Sequence, residues 1–529
     1  MLFFTWTFAA FIMVFYPAFL AVRRHIRIRN ALLVVAAYVF YGWWDVRFLS
    51  LLAFTTALDY VSALGASGVH VRRSQVVQAS GFLASIALTA FAVHGLRDPF
   101  LLLAPAGAAV LIFLVATWTF NRMQDAHRRR KGWTILSIVI NLSVLGFFKY
   151  YNFFGESLSS ALAPFGVDLG FVTLAIILPL GISFHTFQSI GRTIDIYRDK
   201  ITPSTDLLEF AAFLSFFPQI LAGPIERAHH MMPQFRSVLP IRPDMLRSGA
   251  ALFLWGLYKK TVVADNLALL ANPVFADPSR HSSGELAVAL LAFTIQIYGD
   301  FSGYTDMARG IARIMGFELL LNFNLPYFSR TPSEFWRRWH ISLSSWLRDY
   351  LYIGLGGNRR GTLMTYRNLM LTMLLGGLWH GAAWTFVLWG ALHGAMQVVY
   401  RILHIDDLLA AANARGGARA LITNIAGWLV LMPLICLGWA YFRAATMAQG
   451  NAVVFGILRF DGGAGAAWRS LAFYALPLFF AEGVMRLART RAAWAHAPFL
   501  LRYTAILAVF YAVLALTASA SQDFIYFDF

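Results

Sequence analysis

Long apolar runs separated by short polar loops are the feature that most constrains how this chain can fold. The runs cover residues 2–22, 31–44, 48–66, 76–94, 100–120, 133–153, 245–270, 285–316, 363–403, 421–442, 471–488 and 503–518. Only 13% of the 529 residues are charged and 59% are apolar, whereas an ordinary soluble domain has about 25% charged residues. We therefore predict an all-α polytopic membrane protein with about 11–14 transmembrane helices of ~20 residues each.

Basic clusters indicate the orientation of the amino-terminal helices. They lie in every second loop, at residues 23–29, 71–73 and 128–131. Cytoplasmic loops of membrane proteins accumulate Lys and Arg, so we expect these loops in the cytoplasm and the N-terminus outside. No basic cluster precedes the first run, which we interpret as an anchor and not as a cleavable signal. The same bias explains the net charge of +17, and no nucleic-acid partner is expected.

Two shorter apolar runs are interrupted by Pro and Gly, at residues 171–190 and 207–225. Broken backbone at membrane depth is tolerated only where protein or a watery cavity satisfies it, so we predict re-entrant segments beside an internal cavity. The whole chain, residues 1–529, is interpreted as a single membrane domain. Its amino-terminal helices would cover residues 1–132, its core residues 133–403, and its last helices and tail residues 404–529.

The sequence pattern of residues 331–350 predicts one helix, which we expect to rest at the cytoplasmic surface of the membrane. Thr331 would be its N-cap, with Pro332 at the first position and Glu334 completing a capping box. Four-residue spacing would align three polar or aromatic side chains on one face, namely Trp336, His340 and Ser344. This helix and the following loop are rich in arginine. Those arginines either mark topology and contact lipid headgroups, or bind a phosphate-rich donor through Arg337, Arg338, Arg348, Arg359 and Arg360.

His380 lies in the apolar run 363–403, and we expect it inside a long helix. Buried ionisable residues in membranes are functional candidates, and a neutral imidazole is a natural base for deprotonating a hydroxyl. The alternative is a core histidine on a helix-packing face, because small residues also mediate helix contacts. We expect Gly376, Ala383, Ala391, Gly394 and Trp384 to share roughly the helix face of His380.

Other polar residues are assigned structural roles. Asp300 and Asp306 lie in an apolar helix and would orient a histidine or pair with Arg. The glycine-rich residues 354–361 follow a helix and not a strand, so they indicate a tight turn and not a phosphate loop. Nothing near His229 and His230 supplies metal-ligand geometry, and His185 and His393 are interpreted as packing residues. Cys436 is the single cysteine, and no metal site is predicted.

Four motifs in a fixed order resemble the membrane-bound O-acyltransferase family, in its bacterial branch of AlgI-like alginate O-acetyltransferases and DltB-like D-alanyl transferases. They cover residues 216–224, 300–306, 334–352 and 374–382. The resemblance implies a ring of helices around a central tunnel, with His380 as the catalytic histidine and His340 as a second histidine on the cytoplasmic approach. It also implies that the tunnel is lined by Trp336, Ser344, Gly376, Gly377 and Trp384.

The resemblance further implies acyl transfer across the bacterial inner membrane, with the N-terminus in the periplasm. Acetyl-CoA would be the donor substrate, with no bound cofactor, and an exported polysaccharide such as alginate the acceptor, completed by a periplasmic SGNH-type partner protein. The alternatives are peptidoglycan O-acetylation, D-alanyl transfer from a carrier protein, or a transporter without covalent chemistry, although no internal repeat supports a transporter.

The last six residues, 524–529, are similar to a short C-terminal signature of the same branch. They are interpreted either as an aromatic anchor at the membrane interface or as an element of the site. In the second interpretation the tail folds into the periplasmic mouth of the tunnel. Tyr526 would then serve as a transient acyl acceptor or as part of a docking element.

Overall fold

The computed structural model describes residues 1–94, 99–487, 498–519, 522, 524 and 525, and these contain helices and loops but no β-strand. The first twelve α-helices are α1 Trp6–Val22, α2 Ile26–Gly42, α3 Leu49–Ala66, α4 Arg73–His94, α5 Pro99–Asn121, α6 Ala126–Leu145, α7 Tyr151–Leu162, α8 Ile182–Tyr197, α9 Leu207–Leu214, α10 Phe217–Ile220, α11 Ala228–Arg236 and α12 Pro243–Leu257. The remaining eleven are α13 Asp265–Ala276, α14 Ser283–Ile314, α15 Pro332–Arg338, α16 Ile341–Trp346, α17 Thr362–His380, α18 Trp384–Ile402, α19 Ile405–Arg415, α20 Gly417–Arg443, α21 Met447–Ile457, α22 Gly465–Leu487 and α23 Phe499–Leu516. Wider π-helical turns lie at Gly146–Tyr150, Tyr258–Ala264 and Leu347–Tyr352.

The chain is an all-α polytopic membrane protein. Seven helices within the described residues are long and apolar enough to cross a membrane, or up to eight if a bent pair is counted as one span. The prediction of 11–14 spans is therefore too high for this part of the chain. One reason is that some apolar runs form shorter helices: the run at residues 2–22 forms α1, and the run at residues 31–44 lies mostly in α2, each of 17 residues.

One compact unit comprises residues 1–246 and 312–319. Its helix α3 is almost wholly buried, and the buried Asp59 on it accepts hydrogen bonds of 2.8 Å from both Ser137 and Asn141. The two interrupted runs meet at Gly181, whose φ is +74°. A Cβ there would lie 2.3 Å from the carbonyl oxygen of Ile220, so only glycine permits this approach.

The second compact unit comprises residues 247–311 and 320–529. It contains most of the 32-residue helix α14, the helices α17 and α18, and both candidate catalytic histidines. Buried aromatic side chains dominate its interior, and the largest of them are Trp339, Trp389 and Trp439. The candidate site can therefore be described entirely within this unit.

Candidate active site

His340 lies at a break between two short helices, so the prediction of one helix over residues 331–350 is wrong. Helix α15 ends at Arg338, and His340 has a φ of +43°, in the left-handed region that most residues avoid. The loop residue Asn322 stabilises this break. Its backbone carbonyl accepts from the amide of Ile341 at 2.9 Å, in place of a partner within a continuous helix.

The side chain of Asn322 also determines which nitrogen of a neutral His340 ring carries the hydrogen. Oδ1 of Asn322 accepts from both the backbone amide and the hydroxyl of Ser342, at 3.2 and 2.9 Å. Because an atom that receives an amide N–H must be the oxygen, Nδ1 of His340, at 3.1 Å, must be a donor to it. A neutral His340 ring therefore carries its lone pair on Nε2.

The start of α15 agrees with the predicted capping, with one difference. The Thr331 hydroxyl accepts from the amide of Glu334 at 3.2 Å, as an N-cap does. The Glu334 carboxylate, however, accepts from the amide and guanidinium of Arg330 and pairs with Arg338 at 2.9 Å. Burial disfavours the ionised carboxyl, but the hydrogen bonds from Arg330 outweigh it and hold the pKa of Glu334 below its ordinary value.

The segment around His340 packs inside its unit and does not rest on a surface as an interfacial helix would. His340, Trp339 and Leu343 are each 0% exposed. The edge of the Phe301 ring lies against the imidazole, with centroids 4.7 Å apart. The consecutive residues Trp339 and His340 are thus both buried at the break.

His380 is the last residue of α17, and the prediction that it lies inside one long helix is also wrong. The backbone is extended at Gly381 and Ala383, and α18 begins at Trp384. The ring of Phe386 occupies the place of a side chain at Gly381, where a Cβ would lie 2.0 Å from it. The turn after His380 therefore depends on a glycine that packs directly against α18.

Both imidazoles contact the same indole. The centroid of the Trp379 ring is 4.9 Å from that of His380 and 6.2 Å from that of His340. The His380 ring also makes edge-to-face contacts with Trp389 at 5.0 Å and Phe442 at 5.3 Å. The two predicted catalytic residues, 40 positions apart in sequence, are thus brought into one aromatic cluster.

The residues expected to line a tunnel occupy different environments. A Cβ on Gly376 would lie 3.2 Å from Leu347, and one on Gly377 would lie 2.3 Å from the carbonyl oxygen of Phe386. Both glycines are therefore helix-packing positions. Trp384 is 59% exposed on a helix that does not include His380, so the predicted common face with His380 is lost.

The two remaining predicted lining residues lie on the helices α15 and α16. The ring of Trp336 contacts Trp389 at 5.7 Å and His393 at 5.2 Å between centroids. The hydroxyl of Ser344 donates to the backbone carbonyl of Trp339 at 3.1 Å. Trp336 therefore belongs to the same aromatic cluster, whereas Ser344 stabilises the turn that follows His340.

The five candidate donor-binding arginines divide into two groups. Arg338 is held by Glu334, and Arg348 pairs with Asp349 at 2.8 Å. Arg337, Arg359 and Arg360 are exposed and make no ion pair within the described residues. The glycine-rich residues 354–361 form the predicted turn, with positive φ angles at Gly356, Gly357 and Gly361. The turn places Arg359 and Arg360 together on the surface.

Two lysines that were not predicted from the sequence form ion pairs with the two intrahelical aspartates. Asp300 pairs with Lys260 at 2.9 Å, and Asp306 pairs with Lys259 at 2.7 Å as well as with Arg309 at 3.3 Å. The signal was present in the apolar run 245–270, where two adjacent lysines at membrane depth require anionic partners. Asn322 gave no comparable signal.

No cluster of three or more His, Cys, Asp or Glu residues with metal-binding geometry occurs among the residues that the structure describes. His185 contacts the hydroxyl of Thr55 at 2.7 Å, and His230 contacts Glu226 at 3.0 Å. His393 packs against Trp389, with centroids 4.6 Å apart. Tyr526, the predicted acyl acceptor of the tail, lies outside the described residues.

Known proteins resemble this chain over the region that contains both histidines. A model of the MBOAT family, the membrane-bound O-acyltransferases, matches residues 197–442. The probable alginate O-acetylase AlgI of Azotobacter vinelandii is 41% identical over 443 residues, which cover 83% of this chain and 74% of that protein. The protein of the same name in Pseudomonas aeruginosa is 40% identical over 441 residues, covering 83% and 71%.

A relative with another acceptor is also similar. The peptidoglycan O-acetyltransferase of Helicobacter pylori is 38% identical over 386 residues, which cover 67% of this chain and 70% of that protein. These matches confirm the resemblance that the four sequence motifs carry. The chain therefore belongs to the membrane-bound O-acyltransferase family.

Proposed function

We propose that this O-acyltransferase moves an acetyl group from acetyl-CoA, bound on the cytoplasmic side of the bacterial inner membrane, to an exported polysaccharide. Family membership supports acyl transfer. The names of the relatives support acetyl as the group and a polysaccharide, alginate or one like it, as the acceptor. The observation that carries the proposal is that two buried imidazoles share the Trp379 indole at breaks between helices.

His380 is the proposed general base. Its imidazole takes the proton of the acceptor hydroxyl while the hydroxyl oxygen attacks the thioester carbonyl. The new C–O bond forms, the C–S bond breaks, and the imidazolium returns the proton to the departing thiolate of coenzyme A. A neutral imidazole suits this step because it can accept a proton near pH 7 and release it again.

His340 is proposed to assist on the donor side. With Nδ1 engaged by Asn322, its Nε2 lone pair is oriented by a hydrogen bond that does not depend on substrate. Nε2 oriented in this way can accept a hydrogen bond from an N–H group of acetyl-CoA. This bond would hold the thioester in place for attack. In this role His340 contributes mainly to the positioning of acetyl-CoA.

Exposed arginines are proposed to hold the phosphates of the donor. Arg359 and Arg360 combine exposure, adjacency and the absence of an ion pair within the described residues, and Arg337 shares the exposure. Guanidinium groups match phosphate oxygens with paired hydrogen bonds. Arg338 and Arg348 already pair with carboxylates. They contribute positive charge, but fewer of their N–H groups remain to bind phosphate.

The acceptor side is proposed by analogy with the relatives. A periplasmic SGNH-type partner would complete transfer to the polymer, and the N-terminus of this chain would lie on the same side. The Helicobacter pylori relative, by its name, makes peptidoglycan the second candidate acceptor. Because the partner would complete transfer to either glycan, the attack of a hydroxyl on the thioester at His380 is the same for both.

The donor can be tested with the purified protein. We expect it to cleave acetyl-CoA, measured as free thiol, and to leave a D-alanyl carrier protein intact. The double variant Arg359→Gln/Arg360→Gln should raise the KM for acetyl-CoA by about tenfold, because two phosphate contacts are lost. Arg415→Gln, which removes another exposed arginine on α19, is the matched control and should not change KM.

The same assay separates the alternatives. Cleavage of the carrier-protein thioester in place of acetyl-CoA would contradict the proposed donor and support D-alanyl transfer. If neither thioester is cleaved, a transporter explains the fold better than an acyltransferase with this chemistry.

A further inference from the structure

The end of helix α23 and the described residues beyond it contact the π-helical turn Tyr258–Ala264 and the start of α13. The side-chain amide of Asn266 donates to the carbonyl oxygen of Leu516 at 2.9 Å. The backbone amide of Ala518 donates to the carbonyl oxygen of Thr261 at 3.2 Å. These contacts direct the last described residues toward Lys260, which lies in the same turn.

Three of the last residues, Gln522, Phe524 and Ile525, form what we call the C-terminal clamp. Nζ of Lys260 donates to the backbone carbonyl of Gln522 at 3.0 Å, and the backbone amide of Ile525 donates to Oδ2 of Asp300 at 2.7 Å. Phe524 is 0% exposed and Ile525 is 4% exposed. The clamp is therefore seated in the interior of its unit through hydrogen bonds of its own backbone.

The charges around Lys260 explain why Asp300 accepts a hydrogen bond from a backbone amide. Lys260 pairs with Asp265 at 2.8 Å and with Asp300 at 2.9 Å, and all three side chains are buried. Two carboxylates facing one ammonium leave an excess of negative charge, which is costly inside a membrane protein unless donors compensate it. The amide of Ile525 supplies one such donor, and hydrogen bonds to carboxylates are among the stronger ones.

The clamp also touches the aromatic cluster of the candidate site. The ring of Phe524 packs on Tyr304, with centroids 4.7 Å apart, and on Phe301 at 6.0 Å. Phe301 in turn presents its edge to the imidazole of His340 at 4.7 Å. The Phe301 side chain thus lies between Phe524 and the imidazole of the second candidate histidine.

We propose that the C-terminal clamp is a positioning element of the active site: docked on Asp300, it holds Phe301 against His340. The clamp residues act on His340 through Phe301. This inference rests on the proposed function only for its effect on catalysis, because the seating of His340 can be measured without acetyl transfer.

The backbone hydrogen bond gives a clean test. Ile525→Pro removes the donated N–H, whereas Ile525→Val retains it with a similar side chain. We expect Ile525→Pro in the full chain to lower kcat about tenfold with an unchanged KM for acetyl-CoA, and Ile525→Val to match the wild type. A second pair, Phe524→Ala and Phe524→Leu, should show the same contrast, because leucine retains much of the contact with Phe301.

A local readout separates positioning from general loosening of the fold. Diethyl pyrocarbonate modification, mapped by mass spectrometry, should increase severalfold at His340 in Ile525→Pro and stay unchanged at the buried His185 and His393. If all three histidines become reactive together, the clamp stabilises the fold without positioning His340, and the inference is wrong. Equal reactivity and equal kcat in Ile525→Pro and Ile525→Val would also overturn it. If His340 alone becomes reactive while no variant or wild type transfers acetyl, the clamp stands and the proposed function fails.

Discussion

At the scale of single residues, the least predictable part of the site is the partner of His340. Asn322 lies 18 positions upstream, in a loop with no local pattern, yet its Oδ1 engages the imidazole and both donors of Ser342. A sequence reveals which residues are buried or charged, but it does not reveal which loop oxygen will meet a given ring. The sequence singles out His340 and His380 as candidates, but it does not reveal how their rings are oriented.

The orientation of His340 by Asn322 leads to a direct prediction. Asn322→Leu removes the oxygen that accepts from Nδ1, so the ring can adopt either tautomer, and we expect kcat to fall about tenfold. Asn322→Asp retains an acceptor at that position and should keep most of the activity. Steady-state acetyl transfer by both purified variants is the measurement, and a wild-type rate for Asn322→Leu would contradict the role assigned to Asn322.

At the scale of elements, sequence patterns located most helices but missed two breaks. The run predicted at residues 48–66 corresponds closely to α3, because long apolar periodic stretches are dictated locally. The breaks at His340 and after His380 depend on Asn322 and on the Phe386 ring, which are contacts between separate elements. Local pattern alone favours a continuous helix at both places.

The close packing of α17 against α18 can be tested at Gly377. A Cβ at Gly377 would lie 3.1 Å from Cα of Gly390 and even closer to the carbonyl oxygen of Phe386, so the helix backbones are nearly in contact. Gly377→Val should force the two helices apart, which costs about 1–3 kcal/mol, and lower the melting temperature by about 2–4 °C. Gly483→Val is the matched control, because a Cβ at Gly483 meets nothing within 4 Å.

Thermal unfolding of the purified variants, followed by intrinsic tryptophan fluorescence, is the measurement for this pair. We also expect reduced acetyl transfer in Gly377→Val, because the turn that carries His380 joins the same two helices. Equal melting temperatures for Gly377→Val and Gly483→Val would show that the close approach of α17 and α18 does not limit stability.

At the scale of the whole molecule, composition and motif order determined the class of protein more reliably than the number of spans. Low charge content required a membrane protein, and four motifs in order indicated the family that the relatives confirm. The span count was too high because an apolar run can also form a helix shorter than a full span, such as α1. Hydropathy locates apolar residues and does not reveal where a helix begins and ends.

The burial of both imidazoles is also a property of the whole molecule. His380 is 3% exposed and His340 is 0% exposed, so neither ring meets bulk solvent in this structure. Water exclusion strengthens the electrostatic interactions of a reacting group. Under the proposed mechanism, the acetyl group would have to reach His380 by passing between the aromatic side chains that surround it.

The central claim is that His380 is the base for acetyl transfer, and a single-turnover measurement with labelled acetyl-CoA tests it most directly. His380→Ala should transfer acetyl at least about a hundredfold more slowly than the wild type, because general bases contribute about 10²–10⁴-fold, while its melting temperature stays close to that of the wild type. His404→Ala, which removes an exposed histidine, should transfer at the normal rate. A folded His380→Ala variant that transfers acetyl at the wild-type rate would contradict the account.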